Sequence, residues 1–383
     1  MLLPPTAAAV PVASATAAGD DGNAGAPSGV CVKEAIHVHR LFQKVAVPRT
    51  PGWSWSPAGE LPEVQHHHVP VGRGTVVHIA MVEPEAPDAE RAPILFMHSV
   101  NQCSFLFCTH IQEMGKDRRA MAMDIRGWGE TVCPPEKPYA TVGDCAADIE
   151  GVLNAFGISH VILFGLGMGA VVAWAAAQLI PHRILAMSNY GKGYGMLERW
   201  GGPQPDGEHM GPLARAKYYS ERGSERSFGY LVNFADSTQW ARMDEQPKKV
   251  LDSMYSEAES HDKRVDEYLS GGGNLKVFEP RPFLHQVWLK GTELNPFCSM
   301  LRLYKGIDIS WQQLQDAPQP ARMPLFCPSN QETATWEGYH EMLAEQFELT
   351  TVYYDVGSVS KAQSDVVEGD MLKRLREWAN KIA

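Results

Sequence analysis

Positive charge is scarce in this chain. Its 34 Lys and Arg are outnumbered by 45 Asp and Glu, which leaves a formal charge of −11. A nucleic-acid surface needs clustered Lys and Arg to neutralise phosphates, and docking on an anionic membrane needs the same. Neither partner is expected. No run of about 18 apolar residues occurs, so no membrane span is expected either. Cys31, Cys103, Cys108, Cys133, Cys145, Cys298 and Cys327 contain no Cys-x-x-Cys pair, which argues against a zinc ribbon or a thioredoxin-like motif. No metal and no cofactor are expected. Seven thiols in a long chain read as reduced side chains, and the expected location is cytoplasmic. Residues 1–30 hold no Lys or Arg but do hold Asp20 and Asp21, a pattern unlike a secretory signal or a transit peptide. Their Ala, Pro, Gly and Ser read as a disordered tail.

The rest of the chain has what the tail lacks. Hydrophobic residues make up 44% of the whole, enough for a sizeable core. Pro48, Pro51, Pro57 and Pro62 break any long element in residues 31–64, which read as an extended lead-in to a domain at 65–383. His66, His67 and His68 follow. Neighbours in a strand point to opposite faces, so these three do not share one metal and read as exposed strand residues. Short β-branched and apolar runs mark strands at Thr75–Val82, Pro93–Met97, Ala120–Met123, His160–Phe164, Ile184–Met187, Met323–Cys327 and Thr350–Tyr354. Helical spacing marks Thr141–Phe156, with Thr141 as N-cap and Gly157 just past its end, then Ala170–Leu179 and Met371–Lys381. Strands alternating with helices predict a parallel sheet covered on both faces. A polar, patchily helical stretch at about 195–320 reads as a lid inserted between two strands of the sheet.

The chemistry sits where a buried strand meets a helix. Gly165-Leu-Gly-Met-Gly169 has the outer glycines of a nucleophile elbow, Gly-x-Ser-x-Gly, in which a sharp turn lifts the central side chain above the sheet. The centre here is Gly167, which offers no hydroxyl, thiol or carboxylate. A dinucleotide-binding turn needs its third glycine one residue later and an acid about 20 residues on, where Asn189 stands instead. His98-Ser99 after a buried strand occupies the place of an oxyanion-hole segment, flanked in the pocket by Leu166 and Met168. Asp124-Ile-Arg-Gly-Trp-Gly129 matches the Asp-x-Arg-Gly-x-Gly turn. Three landmarks in this order predict the α/β-hydrolase fold, a mostly parallel sheet flanked by helices. The triad acid position holds Gln331 and the terminal base position holds Ser360; no histidine follows His340. No catalytic residue is therefore assigned, and Gly167, Gln331 and Ser360 read as relict triad positions. A displaced nucleophile at Ser99, Cys103 or Cys108 would have only His98 as a nearby base. Gly167 itself reads as structural, with the elbow packed shut and Trp174 set against the sheet.

Several stretches resemble the N-myc downstream-regulated (NDR) family, an α/β-hydrolase-fold group with a serine-less elbow. Gly74–Val82 is similar to its opening strand, and Ile94-Leu-Phe-Met-His98-Ser-Val100 to its Tyr-His-Asp-Val segment. Gly165-Leu-Gly-Met-Gly-Ala170 is similar to its Gly-Val-Gly-Ala-Gly-Ala elbow. Gly191-Lys-Gly-Tyr194, with Trp200 beyond, resembles its Asn-Gly-Lys-Gly-Trp loop, and Asp355-Val-Gly-Ser its Asp-Ser-Gly-Gly turn. Asp124–Gly129 is closer to ordinary hydrolases, and a Ser/Thr-rich tail is not seen before Ala383, so the resemblance is to a divergent member. It implies a non-enzymatic role in signalling, stress response or differentiation through a protein partner. The alternatives are an esterase-like or epoxide-hydrolase-like enzyme with a displaced nucleophile, and a receptor holding a small-molecule ligand under the lid.

Overall fold

A computed structural model describes residues 64–85, 91–100, 102–134, 139–190, 197, 201–203, 209–222, 229–246, 295, 297–329, 339–353 and 370–382. The tail at 1–30 and the lead-in at 31–64, Val64 excepted, lie outside the described residues.

Among the described residues, ten strands run in chain order. They are β1 (Gln65–Gly72), β2 (Thr75–Val82), β3 (Ile94–Met97), β4 (Ala120–Met123), β5 (Val161–Leu166), β6 (Ile184–Tyr190), β7 (Gly202–Pro203), β8 (His209–Met210), β9 (Pro324–Ser329) and β10 (Glu348–Tyr353). β7 and β8 form a small ribbon; the other eight make one sheet in the order β1-β2-β4-β3-β5-β6-β9-β10. β2 is antiparallel to both its neighbours, and all later pairings are parallel. β3 and β4 are buried throughout, as is β5, because helices cover both faces and no side of these strands meets water. This is the predicted fold class.

The first helices are α1 (Cys108–Met114), α2 (Val142–Ala155) and α3 (Met168–Leu179). α2 starts as its sequence predicts. The Thr141 hydroxyl accepts the Asp144 amide at 3.1 Å, and the Asp144 carboxylate accepts the Thr141 amide at 3.0 Å, a capping box that satisfies two orphan donors. Gly157 follows the C-terminus with φ +64°. α3 begins two residues earlier than expected, because the Gly167 carbonyl already accepts the Ala170 and Val171 amides. β6 runs three residues past Met187. Its polar end, Ser188 and Asn189, hides the strand from a hydrophobicity reading, but register with Phe164 and Gly165 carries it on.

Between β6 and β9 lie α4 (Pro212–Glu221), α5 (Gly229–Ala235), α6 (Ser237–Glu245), α7 (Phe297–Met300), α8 (Arg302–Lys305) and α9 (Ile307–Asp316). α10 (Tyr339–Gln346) and α11 (Asp370–Ala379) complete the described helices.

Trp174 is buried, and its ring packs on Phe347, the residue between α10 and β10, with centroids 4.9 Å apart. One expectation needs correction. The three histidines do form a strand, but they are not simply exposed. Strand alternation sends His66 and His68 to one face, each with its ring 5.2 Å from that of His78 on β2. His67 turns to the other face against Phe156.

Candidate active site

Sheet order places the site. β3 lies between β4 and β5, so the chain leaves β3 for a neighbour on each side in turn, and the carboxyl ends of strands at such a switch point are where sheets of this kind bind ligands. His98 and Ser99 follow β3 there, and Gly167 follows β5, with Met97 paired to Gly165.

Gly167 has φ +55° and ψ −114°, a backbone state that glycine adopts without a Cβ clash. The turn is tight on all sides. A Cβ at Gly165 would come 2.7 Å from the Ala170 nitrogen, and one at Gly169 would come 2.6 Å from the His98 carbonyl oxygen. At Gly167 an added Cβ would overlap Ser99 Oγ and lie 2.8 Å from Ser99 Cβ. The hydroxyl of Ser99 thus stands where an elbow side chain would begin. It accepts the Met168 amide at 3.4 Å, the amide that follows the elbow, while the Ser99 amide donates to Gln102 Oε1 at 3.0 Å. Leu166 and Met168 are buried on either side, whereas Gly167 and Ser99 are half-buried. The elbow is filled by Ser99 but not sealed from solvent.

His98 is wholly buried and fully engaged. Nδ1–H donates to the Ser99 carbonyl at 2.8 Å, and Nε2 accepts the Ile125 amide at 3.0 Å. A carbonyl can only accept and a backbone N–H can only donate, so these partners fix the tautomer and the neutral state. Burial lowers its pKa further, against the raising pull of Asp124, whose Oδ1 lies 3.9 Å from Nε2. Neither nitrogen is left to take a proton from Ser99.

Asp124 is the hub of the wall beside it. Oδ1 accepts the Ser104 amide at 2.6 Å; Oδ2 accepts the Glu130 amide at 2.9 Å and faces His78 Nδ1 at 2.7 Å. Burial opposes the charge on Asp124, but His78 and these donors hold its carboxyl well below the usual range. Arg126 in the same turn makes a two-pronged ion pair with Asp148 on α2, with Nε 2.8 Å from Oδ2. Trp128 packs edge-on to His98 at 6.2 Å.

The remaining candidates separate by position. Gln331 lies beyond the end of β9 and Ser360 beyond the end of β10, both outside the described residues. Cys103 is buried. Burial pushes the Cys327 thiol up to about 12 and the Cys133 thiol up to about 11, so both stay protonated. Among the described residues, no group of three His, Cys, Asp or Glu could hold a metal ion, and no helix is long and apolar enough to cross a membrane. The sequence reading missed His78. Its signal was available: one polar ring inside an otherwise apolar strand, Thr75–Val82.

Comparison with known proteins agrees with this geometry. Residues 94–345, well over half of the chain, match the alpha/beta hydrolase family. Epoxide hydrolase 3 of Siraitia grosvenorii is 31% identical over 126 residues, which is 33% of this chain and only 35% of that protein. The match thus spans about a third of that relative's length. Epoxide hydrolase B of Mycobacterium tuberculosis is 24% identical over 335 residues, covering 76% of this chain and 93% of that protein. Among solved structures, an epoxide hydrolase of Vigna radiata superposes with TM-score 0.62 at 17% identity, over 84% of this chain and 100% of that one. A laboratory-evolved potato epoxide hydrolase gives 0.60 at 16% identity, over 83% and 100%. These relatives are epoxide hydrolases and not NDR proteins, so the finer resemblance drawn from the glycine elbow is not the one they carry. With the sheet order, the elbow between β5 and α3 and the Asp124 turn in place, the chain belongs to the alpha/beta hydrolase family.

Proposed function

We propose that the protein is an epoxide-hydrolase-like α/β-hydrolase relative that binds a small oxygen-bearing molecule at the elbow and forms no covalent intermediate there. The observation that carries this reading is the position of Ser99 Oγ in the space of the missing elbow side chain. Its oxygen accepts the Met168 amide, so its O–H proton is the group available to a ligand oxygen. An epoxide or its diol is the ligand class that the relatives' names suggest, and an inserted lid at about 195–320 would close over it.

A second reading has its own support. Ser99 lies where a nucleophile belongs, so an enzyme with a displaced hydroxyl would use this atom. Against it, Gly167 has no reactive group, His98 is locked neutral, and the chain has no histidine after His340. A partner-mediated signalling role, which the NDR resemblance implies, has its most specific support in the glycine elbow and the Gly191–Tyr194 loop, and the epoxide hydrolase relatives draw the reading away from it. Cytoplasmic placement belongs to the proposal too, supported by the thiols Cys145 and Cys327, which form no disulfide among the described residues.

An aryl epoxide and its diol test both readings. Incubation with the parent is expected to raise its melting temperature without releasing diol, and Ser99→Ala is expected to lose that stabilisation. Diol release that Ser99→Ala abolishes would instead establish the displaced nucleophile.

A further inference from the structure

The triple-histidine strand has no part in the reading above, yet it connects to the wall of the site. His66 Nδ1 on β1 lies 2.9 Å from His78 Nε2 on β2, and His78 Nδ1 lies 2.7 Å from Asp124 Oδ2. His78 and Asp124 have no exposed side-chain surface, whereas His66 is half-buried. A continuous chain of hydrogen bonds therefore runs from the sheet edge to a wholly buried carboxylate. Two further bonds brace it: the His78 amide donates to Thr131 Oγ1 at 2.9 Å, and the Thr131 hydroxyl donates to the Asp124 carbonyl at 2.6 Å.

Charge balance decides the state of His78. Two buried carboxylates, Asp124 and Glu130, face it. Among the described residues, the charged and titratable groups around it include His66, His67 and His68 from β1, Asp124 and Glu130 from the turn after β4, and His98 beyond Asp124. His98 is held neutral by its two backbone partners. His68 Nε2 is engaged with Glu130 Oε2 at 2.9 Å. His78 is thus the buried group placed to carry the counter-charge of Asp124. Burial works against that charge, but attraction to Asp124, their hydrogen bond and attraction to Glu130 outweigh it and raise the His78 pKa.

Asp124 in turn determines where the site wall sits. Its Oδ1 holds the amide of Ser104, the first residue of the short 3-10 turn Ser104–Phe107, and the following residue, Ile125, holds His98. Ser99 lies between these two anchors, His98 and Ser104.

We propose that His78 is a positioning residue, a buried imidazolium that holds His98 and Ser104, on either side of Ser99, in place through Asp124 and its turn, and exchanges its proton with solvent through His66. In the exchange, His78 Nε2 gives its proton to His66 Nδ1 while His66 Nε2 gives one to water. The net change is one proton lost from the pair, leaving Asp124 ionised without its cation. The inference does not depend on what binds at Ser99.

The test uses the full chain with ¹⁵N-labelled histidine. One ring is expected to keep imidazolium shifts above the ordinary histidine range near 6.5, and His78→Asn is expected to remove that signal. After normalisation for intrinsic exchange, protection of the Ser104 amide in the parent is expected to fall about tenfold or more between about pH 6 and pH 9. In His78→Asn, which keeps a donor toward Asp124 but does not titrate, the protection is expected to be independent of pH. A neutral His78 at about pH 6, or parent protection that does not change with pH, would overturn the proposal. Should His78→Asn fail to fold, the parent's titration and exchange decide the matter by themselves.

Discussion

Gly167 and Ser99 compete for one volume, and that competition can be measured. Consider Gly167→Ser. The backbone at 167 has φ +55° and ψ −114°, and holding an L-residue in such a region costs of order 1–3 kcal/mol. The new Cβ would also overlap Ser99 Oγ and lie 2.8 Å from Ser99 Cβ, so Ser99 must rotate and its backbone must shift. An off-rotamer side chain costs about 0.5–1.5 kcal/mol. The Met168 amide loses its partner as well, worth about 1 kcal/mol for a half-buried group. The sum is a destabilisation of about 2–4 kcal/mol, since the lost bond and the rotation are partly one event. Ser99→Gly alone loses the bond to Met168 and adds backbone freedom, about 1–2 kcal/mol. The double variant should cost less than the two single costs added, by about 1–2 kcal/mol, because Ser99→Gly removes the overlap that Gly167→Ser creates. Urea unfolding of the four proteins completes the cycle. Strict additivity, or a Gly167→Ser variant more stable than the parent, would refute the reasoning, since either shows that the elbow kept room for a nucleophile.

Other predictions follow from the same contacts. Thr141→Ala should destabilise the protein by about 0.5–2 kcal/mol in chemical unfolding, because it removes the hydroxyl half of the α2 capping box; an unchanged midpoint would count against that box. Asp124→Ala should cost about 3–5 kcal/mol, since it strands His78 and the Ser104 and Glu130 amides together; a loss under about 1 kcal/mol would show that Asp124 is no hub. The His78–Asp124 pair also sets a pH window for stability. The raised pKa of His78 contributes stability that is complete below about 6.5 and is lost as pH rises through its folded value; the depressed pKa of Asp124 contributes stability present above about 3.9 and lost as pH falls through its folded value. Their joint contribution should therefore be greatest between about pH 4 and 6.5, and a melting-temperature series in which His78→Asn and parent run parallel across pH would contradict it. A fluorophosphonate probe for activated serines should leave the protein unlabelled, and mass spectrometry finding the adduct on Ser99 would reverse that conclusion.

Local chemistry carried most of the fold. The strands β2 to β5, the Thr141 cap and the Gly165–Gly169 turn are each written in a few adjacent residues, because burial of a parallel strand, capping and tight turning are short-range demands. The loss of an elbow nucleophile is equally local, since glycine has no side chain whatever surrounds it. What replaced that side chain is not local. Ser99 lies 68 positions before Gly167, and only the parallel pairing of β3 with β5 brings its hydroxyl to the elbow. His98 stood as a free base until the Ile125 amide and the Ser99 carbonyl took both its nitrogens, contacts that depend on β4 lying beside β3. The histidines of β1 gained their meaning in the same way. Their alternation was readable, but the buried Asp124 they reach through His78 was not, because cross-strand register is set by the packing of the whole sheet and not by any one strand's residues.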